Sequence, residues 1–216
     1  MRGEHIAGLL MVSPTVIEFL MFGLIPICIS FALSFVRLNS YDISRSQFVG
    51  LSNFSFIFED ERFWRSIKNT LLYSLSMPVT LILSLGVAVL LEKIRVFKKL
   101  FRVIYFLPYI LSGVAVSTMW KWMLDTNYGI VNDILVALGA GRVEWLTSEA
   151  YFMLTMILIS IWGGMCMNIV FFMSALANVN DELYEAAEID GAGRFTKFFK
   201  ITLPLISPTT FYLLIT

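Results

Sequence analysis

Four stretches of this chain stay apolar for the length of a bilayer, and that feature limits the fold more than any other. A hydrocarbon core of ~30 Å takes about 20 residues of helix. The runs Leu9 to Val36, Leu71 to Leu91, Val103 to Met123 and Tyr151 to Leu176 meet that requirement. In lipid every backbone N–H and C=O must find its partner inside the protein, so such runs fold as helices. A fifth run begins near Leu203 and is still apolar at Thr216, from which we expect the protein to continue beyond this residue. The chain is 58% hydrophobic and 15% charged, against about 25% charged for a soluble domain. The expected class is an all-α, polytopic helix bundle.

The first run is far longer than the apolar core of a signal peptide, and it carries Glu18, so it reads as a retained helix. Pro14 and Pro26 inside it are tolerable as kinks. The sequence divides into an N-terminal helix with its loop, residues 1–70, and a core, residues 71–216. Basic residues favour the cytoplasmic side. Lys93, Arg95, Lys98, Lys99 and Arg102 fall between residues 92 and 102, and the segment 124–150 holds only Arg142. The expected topology has a cytoplasmic N-terminus, an external 37–70 loop and a cytoplasmic segment after the fourth span. The 37–70 loop, with five basic residues of its own, runs against this rule.

Two loops carry helical patterns. Phe63, Trp64, Ile67 and Leu71 recur at helical spacing behind Glu59 and Asp60, which suit a helix N-terminus. Asn132 is expected to cap a short helix with Ile134, Leu135 and Leu138 on one face, stopped by Gly139. Both read as packing at the outer leaflet.

Several chemistries are excluded. Sixteen basic and sixteen acidic residues cancel, so no global field favours nucleic acid. One histidine, His5, and two cysteines, Cys28 and Cys166, are too few for a zinc site, and the cysteines read as packing residues. No GxxxxGK[ST] phosphate loop is present, and Gly191-Ala192-Gly193 follows no strand. A serine–histidine pair would have to use His5, in a short tail. No catalytic residue and no metal ligand is therefore expected. Glu18 and Lys121 are the ionisable groups of the spans, and Lys121 lies where it can snorkel. Proton- or sodium-coupled carriers usually place carboxylates in the membrane. If a solute crosses this protein, its driving energy comes from elsewhere.

The segment 177–204 is unlike the other loops. Asn180 or Asp181 can cap a helix whose positive end suits Glu182 and Glu185. Leu183, Ala186, Ala187 and Asp190 share a face at helical spacing, and the alanines let another surface come close. Gly191 and Gly193 break the helix and permit positive φ. A basic, aromatic turn follows, with Arg194, Lys197 and Lys200 beside Phe195, Phe198 and Phe199, and Pro204 opens the next span. The segment is either an ordinary amphipathic connector or a docking surface for a soluble partner.

Here the sequence resembles a known family. The pattern E-A-A-x-x-D-G-A, then an aromatic, then I-x-L-P, is met at Glu185, Ala186, Ala187, Asp190, Gly191, Ala192, Phe195, Phe198, Ile201, Leu203 and Pro204. It resembles the EAA loop of permease subunits in binding-protein-dependent ABC importers. The runs Phe48 to Phe54, Phe63-Trp64 with Asn69-Thr70, Phe101 to Pro108, Trp120 to Trp122, Tyr128-Gly129 with Asn132, and Trp145-Leu146 resemble the sugar-type permeases of the maltose and glycerol-phosphate group. The chain departs from the pattern at Asn180, where a proline is common, and at Ala177, where a glutamine is common.

The resemblance implies the type I importer permease (MetI-like) fold with its last helices truncated. It implies an ATPase-docking role for the loop residues just named, and no enzymatic activity in this chain. No cofactor is expected here; ATP and Mg would sit on the partner ATPase. The implied partners are a second permease subunit, two ATPase subunits, an extracytoplasmic solute-binding protein, a sugar-like solute and the lipid bilayer, with no nucleic acid. The implied location is a bacterial or archaeal plasma membrane. Sugars are held by aromatic faces and a few polar groups, for which Trp162, Asn168 and Phe172 of the fourth span and Tyr109 and Ser112 of the third are candidates. Trp162, Gly163 and Gly164 also suit close helix packing. The competing readings are a secondary carrier or channel acting alone and a non-transporting membrane scaffold.

Overall fold

The computed structural model describes residues 2–39, 46–93, 103, 105 and 108–216. They fall into two compact units, Met1–Lys68 and Asn69–Thr216.

The first unit opens with α1 (Arg2–Glu18), a π-helical turn (π1, Phe19–Leu24) and α2 (Ile25–Leu33). Residues Leu10–Leu33 form one apolar span of 24 residues. Pro14 lies inside α1. Pro26 has no N–H for the carbonyl one turn back, and the ladder widens into π1 just before it. A short antiparallel pair follows, β1 (Val36–Arg37) and β2 (Gln47–Phe48), with Val36 opposite Phe48. Asn53, in the first turn of α3 (Ser52–Glu59), donates through Nδ2 to the Ser34 and Val36 carbonyls at 2.9 and 3.2 Å. The Phe48-to-Phe54 run thus serves to tie the loop to the end of α2.

Asp60 caps α4 (Glu61–Ser74): its Oδ1 accepts the Arg62 N–H at 2.9 Å, as the acidic residues there foretell. The Arg62 guanidinium, also bonded to it, holds the Asp60 carboxyl below its usual range. α4 crosses the boundary between the units and continues into α5 (Ser76–Lys93). Together Glu61–Glu92 make a 32-residue span. At 1.5 Å per residue that is ~48 Å, more than a bilayer core needs.

In the second unit the expected third span is interrupted. Residues 108–110 are helical, Leu111 and Ser112 are not, and α6 (Gly113–Met123) begins afresh. Ser112 is extended (φ −64°, ψ 144°) and its side chain accepts the Ala115 N–H at 3.2 Å, which makes it a helix cap. Most of the Phe101-to-Pro108 run, and the basic segment from residue 94 to 102, lie outside the described residues. The remaining elements are α7 (Ile130–Ala137), the 29-residue α8 (Glu149–Ala177), α9 (Asp181–Ile189), α10 (Arg194–Lys197), a second π turn (π2, Phe198–Thr202), α11 (Leu203–Leu205) and α12 (Ser207–Ile215).

The core is the seam between α5 and α8, closed at one end by α12. Ser76, Thr80, Ser84 and Ala88 recur every fourth residue of α5 and are buried, Ser84 completely. The hydroxyls of Thr80 and Ser84 do not go unsatisfied: Thr80 Oγ1 donates to Ser76 O at 2.7 Å and Ser84 Oγ to Thr80 O at 2.6 Å. Between membrane helices, where lipid is as apolar as leucine, small residues of this kind let backbones approach. Gly164 of α8 faces this row, and a Cβ placed there would stand 3.1 Å from Thr80 Cγ2. The packing role considered for this glycine therefore holds, whereas Gly163 has nothing within 4 Å. Leu81, Ala88, Phe172, Leu176, Ile206 and Leu213 complete the core. Of the two cysteines only Cys166 is in it; Cys28 is exposed, and both are free thiols.

Gly164→Leu is expected to destabilise the α5–α8 seam by about 1–3 kcal/mol through overpacking. Gly163→Leu should stay near wild type. Thermal unfolding of the detergent-solubilised protein separates the two.

Candidate functional site

The connector between α8 and α12 is a bent pair of helices. Its first arm, α9, starts on Asn180, whose Oδ1 accepts the Glu182 N–H at 3.1 Å. It ends in a Schellman turn: Gly191 N–H donates to Glu188 O at 3.0 Å and Ala192 N–H to Ala187 O at 2.8 Å. Gly191 has φ +73°, a conformation that strains any side chain. Gly193 departs from expectation. Its φ is −69° and ψ 167°, ordinary extended backbone leading into α10.

The second arm is α10, π2 and α11 in series. Pro204 removes the N–H that would bond one turn back, and π2 precedes it just as π1 precedes Pro26. Pro204 does not open the next span, as the sequence suggested. The chain bends by 59° at Ile206, between Arg194–Leu205 and Ser207–Ile215, and Pro208 stands at the start of α12.

Two side-chain bonds join the arms. Lys197 Nζ donates to Glu188 Oε2 at 2.8 Å, and the Tyr184 hydroxyl lies 2.8 Å from Thr202 Oγ1. The Lys197 ammonium holds the Glu188 carboxyl below its usual range. The ion pair is therefore complete above ordinary carboxylate pKa values and is released as pH falls through the lowered one.

The outer surface of this pair is apolar beside its charges. Ile189 is 88% exposed and Phe195 82%. Glu185, Ala186, Asp190, Gly191 and Pro204 are also exposed, while Ala187, Ala192, Phe198, Ile201 and Leu203 are half-buried. On the inner side a cavity of about 340 Å³ has an apolar wall of Val89, Leu176 and Phe198 and a polar wall that includes Glu92, Arg194 and Lys197.

The residues considered for a solute path have different settings. Tyr109 is exposed, Ser112 caps α6, and Asn168 is half-buried. Trp162 meets Trp120 edge to face, with centroids 5.2 Å apart. Phe172 is 0% exposed. It presents no face to a solute, because it is locked into the core by Leu81, Leu176 and Ile206. Trp120 Nε1 is buried with no hydrogen-bond partner among the described residues. No group of three or more His, Cys, Asp or Glu among the described residues is placed to hold a metal ion.

Asn132 is not the cap it resembles; Gly129 holds the cap position of α7. Asn132 is fully buried. Its Nδ2 donates to the carbonyls of Asp125, Thr126 and Val143 at 3.2, 3.3 and 2.9 Å. Its Oδ1 accepts from Val143 N and Trp145 Nε1 at 3.0 and 3.2 Å. Gly129 is required because a Cβ there would collide with the Asp125 carbonyl oxygen. The Asn127 and Tyr128 N–H groups hold the Asp125 carboxyl low. Gly139, at φ +84°, ends α7 as expected. The runs Tyr128-Gly129, Asn132 and Trp145 are thus one clasp joining the end of α6 to the start of α8.

A bundle of membrane-length helices carrying such a capped, bent pair is the helical permease fold of ABC importers. The chain belongs to the family of binding-protein-dependent transport system inner membrane components, whose profile matches residues 81–216. It is 37% identical to the probable ABC transporter permease protein YesP of Bacillus subtilis, over 99% of this chain and 69% of that protein. It is 35% identical to the arabinooligosaccharides transport system permease protein AraP of the same species, over 96% of this chain and 66% of that protein. A solved bacterial alginate ABC transporter, in complex with a periplasmic protein carrying an alginate pentasaccharide, superposes with a TM-score of 0.77. The identity is 32%, over 92% of this chain and 66% of that one. The chain therefore spans about two thirds of the length of these relatives.

Proposed function

We propose that this chain forms half of the translocation path of an ABC importer for a sugar or related small polar solute. The segment from Asn180 to Leu205 takes up force from a separate ATPase subunit. The observation that carries this reading is the rigid, capped pair with Ile189 and Phe195 bare at its knuckle. Exposed apolar side chains flanked by acids suit a cleft on another protein. Glu185, Ala186, Ala187, Asp190, Gly191, Ala192 and Phe195 belong to that contact, and Phe198, Ile201, Leu203 and Pro204 hold its second arm. ATP and Mg bind the ATPase, which supplies the hydrolytic chemistry.

The remaining partners follow from the same reading: a second permease subunit, two ATPase subunits and an extracytoplasmic solute-binding protein. The N-terminus then lies in the cytoplasm of a bacterial or archaeal cell. A sugar-type solute is supported by the likeness to the arabinooligosaccharides transport system permease protein. ATP-driven closure of the ATPase pair would move two such segments together and switch the path between its two openings.

A cysteine placed at Ile189 should cross-link to a nucleotide-hydrolysing subunit co-expressed with this chain, and one at Leu214 should not. Absence of any such product at Ile189, with the subunit present in the membrane, would sink the proposal.

A further inference from the structure

Tyr184 and Thr202 are not among the matched residues of the loop pattern, yet they form one of two side-chain bonds that hold α9 against the second arm. The other, Lys197 to Glu188, joins a largely covered ammonium to a carboxylate whose side chain is 80% exposed. The Tyr184–Thr202 bond is better protected: Thr202 is buried and Tyr184 half-buried. From Thr202 the connection runs directly into the core. The Ile206 N–H donates to Thr202 O at 3.0 Å, and Ile206 is itself a core residue. The 340 Å³ cavity lies beside this bond, with Tyr184 and Thr202 in its wall. Packing alone leaves α9 room to shift there.

We infer that the Tyr184–Thr202 hydrogen bond is the strut through which movement of α9 reaches the membrane core. Both are positioning residues for coupling, and neither belongs to the docking surface. The inference rests on the proposed docking role of the segment. A load applied at the knuckle meets an open cavity on the inner side of the arms. Without the strut, α9 yields into that space and the second arm stays still. With it, the two arms turn as one body.

The test uses the importer carrying this chain, purified with its ATPase subunits and reconstituted in proteoliposomes with its binding protein. Tyr184→Phe and Thr202→Val each remove one end of the bond with little change of shape. Each is expected to lower the solute moved per ATP hydrolysed by about fivefold, the factor that one net hydrogen bond carries. The double variant should be no worse than either single one, and Thr202→Ser should keep the wild-type ratio. ATPase subunits should co-purify with every variant. An unchanged ratio in both single variants, with the ATPase still bound, overturns the strut and leaves docking intact. Loss of the ATPase from the two single variants, with wild type retaining it, also overturns it, since the pair would then be shaping the docking surface. Failure of the wild-type chain to retain an ATPase overturns docking and strut together.

Discussion

Gly191→Val is expected to abolish coupled uptake while the protein still inserts at its normal level. At φ +73° a β-branched side chain meets the backbone on both sides. The left-handed conformation costs even an unbranched L-residue ~1–2 kcal/mol, about 5- to 30-fold in the population of the native turn. The turn's two bonds, from Gly191 to Glu188 and from Ala192 to Ala187, set the angle between the arms. Losing that angle displaces Ile189 from Phe195. Substitutions should rank by their tolerance of positive φ, with asparagine least harmful, then alanine, then valine. Gly193→Ala is the control: its backbone is extended and the space around it open, so uptake should be unaffected. Solute uptake beside ATP hydrolysis in proteoliposomes, with membrane protein level as reference, reads all four. Wild-type uptake in the valine variant would count heavily against a docking role for the knuckle.

Asn132→Asp is expected to open the clasp between α6 and α8. The change is nearly isosteric, so packing is preserved and only the hydrogen-bond pattern is altered. An amide nitrogen that donates to three carbonyls is replaced by an oxygen that faces them. Leaving several buried groups unsatisfied costs about 3 kcal/mol or more. The carboxyl must also either lose its charge or stay buried unpaired. Arg142 offers a local readout. It is now held by the Thr126 carbonyl and by Asp133, at 2.9 Å each. Trypsin should cut after Arg142 much faster in the variant than in wild type, and the unfolding temperature in detergent should fall. Equal cleavage rates would show that the clasp draws its stability from elsewhere.

The first, second and fourth spans were legible because lipid leaves so little choice: an apolar run of about 20 residues satisfies its own backbone there as a helix. The two ends of α9 were legible because Asn180 and Gly191 act through bonds to their near neighbours. Asn132 was misread for the opposite reason. Its partners Val143 and Trp145 lie eleven and thirteen residues away, and an asparagine before an apolar face looks like a cap until the chain returns to it. Phe172 was placed on a solute path because α8 is apolar all round, so nothing in its spacing marks which side meets protein and which meets lipid. The break at Ser112 was hidden for a similar reason, since an apolar run reads alike whether its helix is continuous or restarted. Tyr184 stands just before the loop's pattern and Thr202 at a position that it leaves free, and only the fold brings them together.

The bend at Ile206 gives the second arm a mechanical advantage. The twelve residues from Arg194 to Leu205 project ~18 Å from it, and Ile206 itself is clamped in the core. Ile206 is thus a fulcrum. A tilt of about 10° there sweeps the far tip by ~3 Å, given the ~18 Å arm, while the membrane end barely leaves its seat. Ångström-scale closing of a motor at the tip would arrive in the bilayer as a small, forceful rotation rather than as a slide.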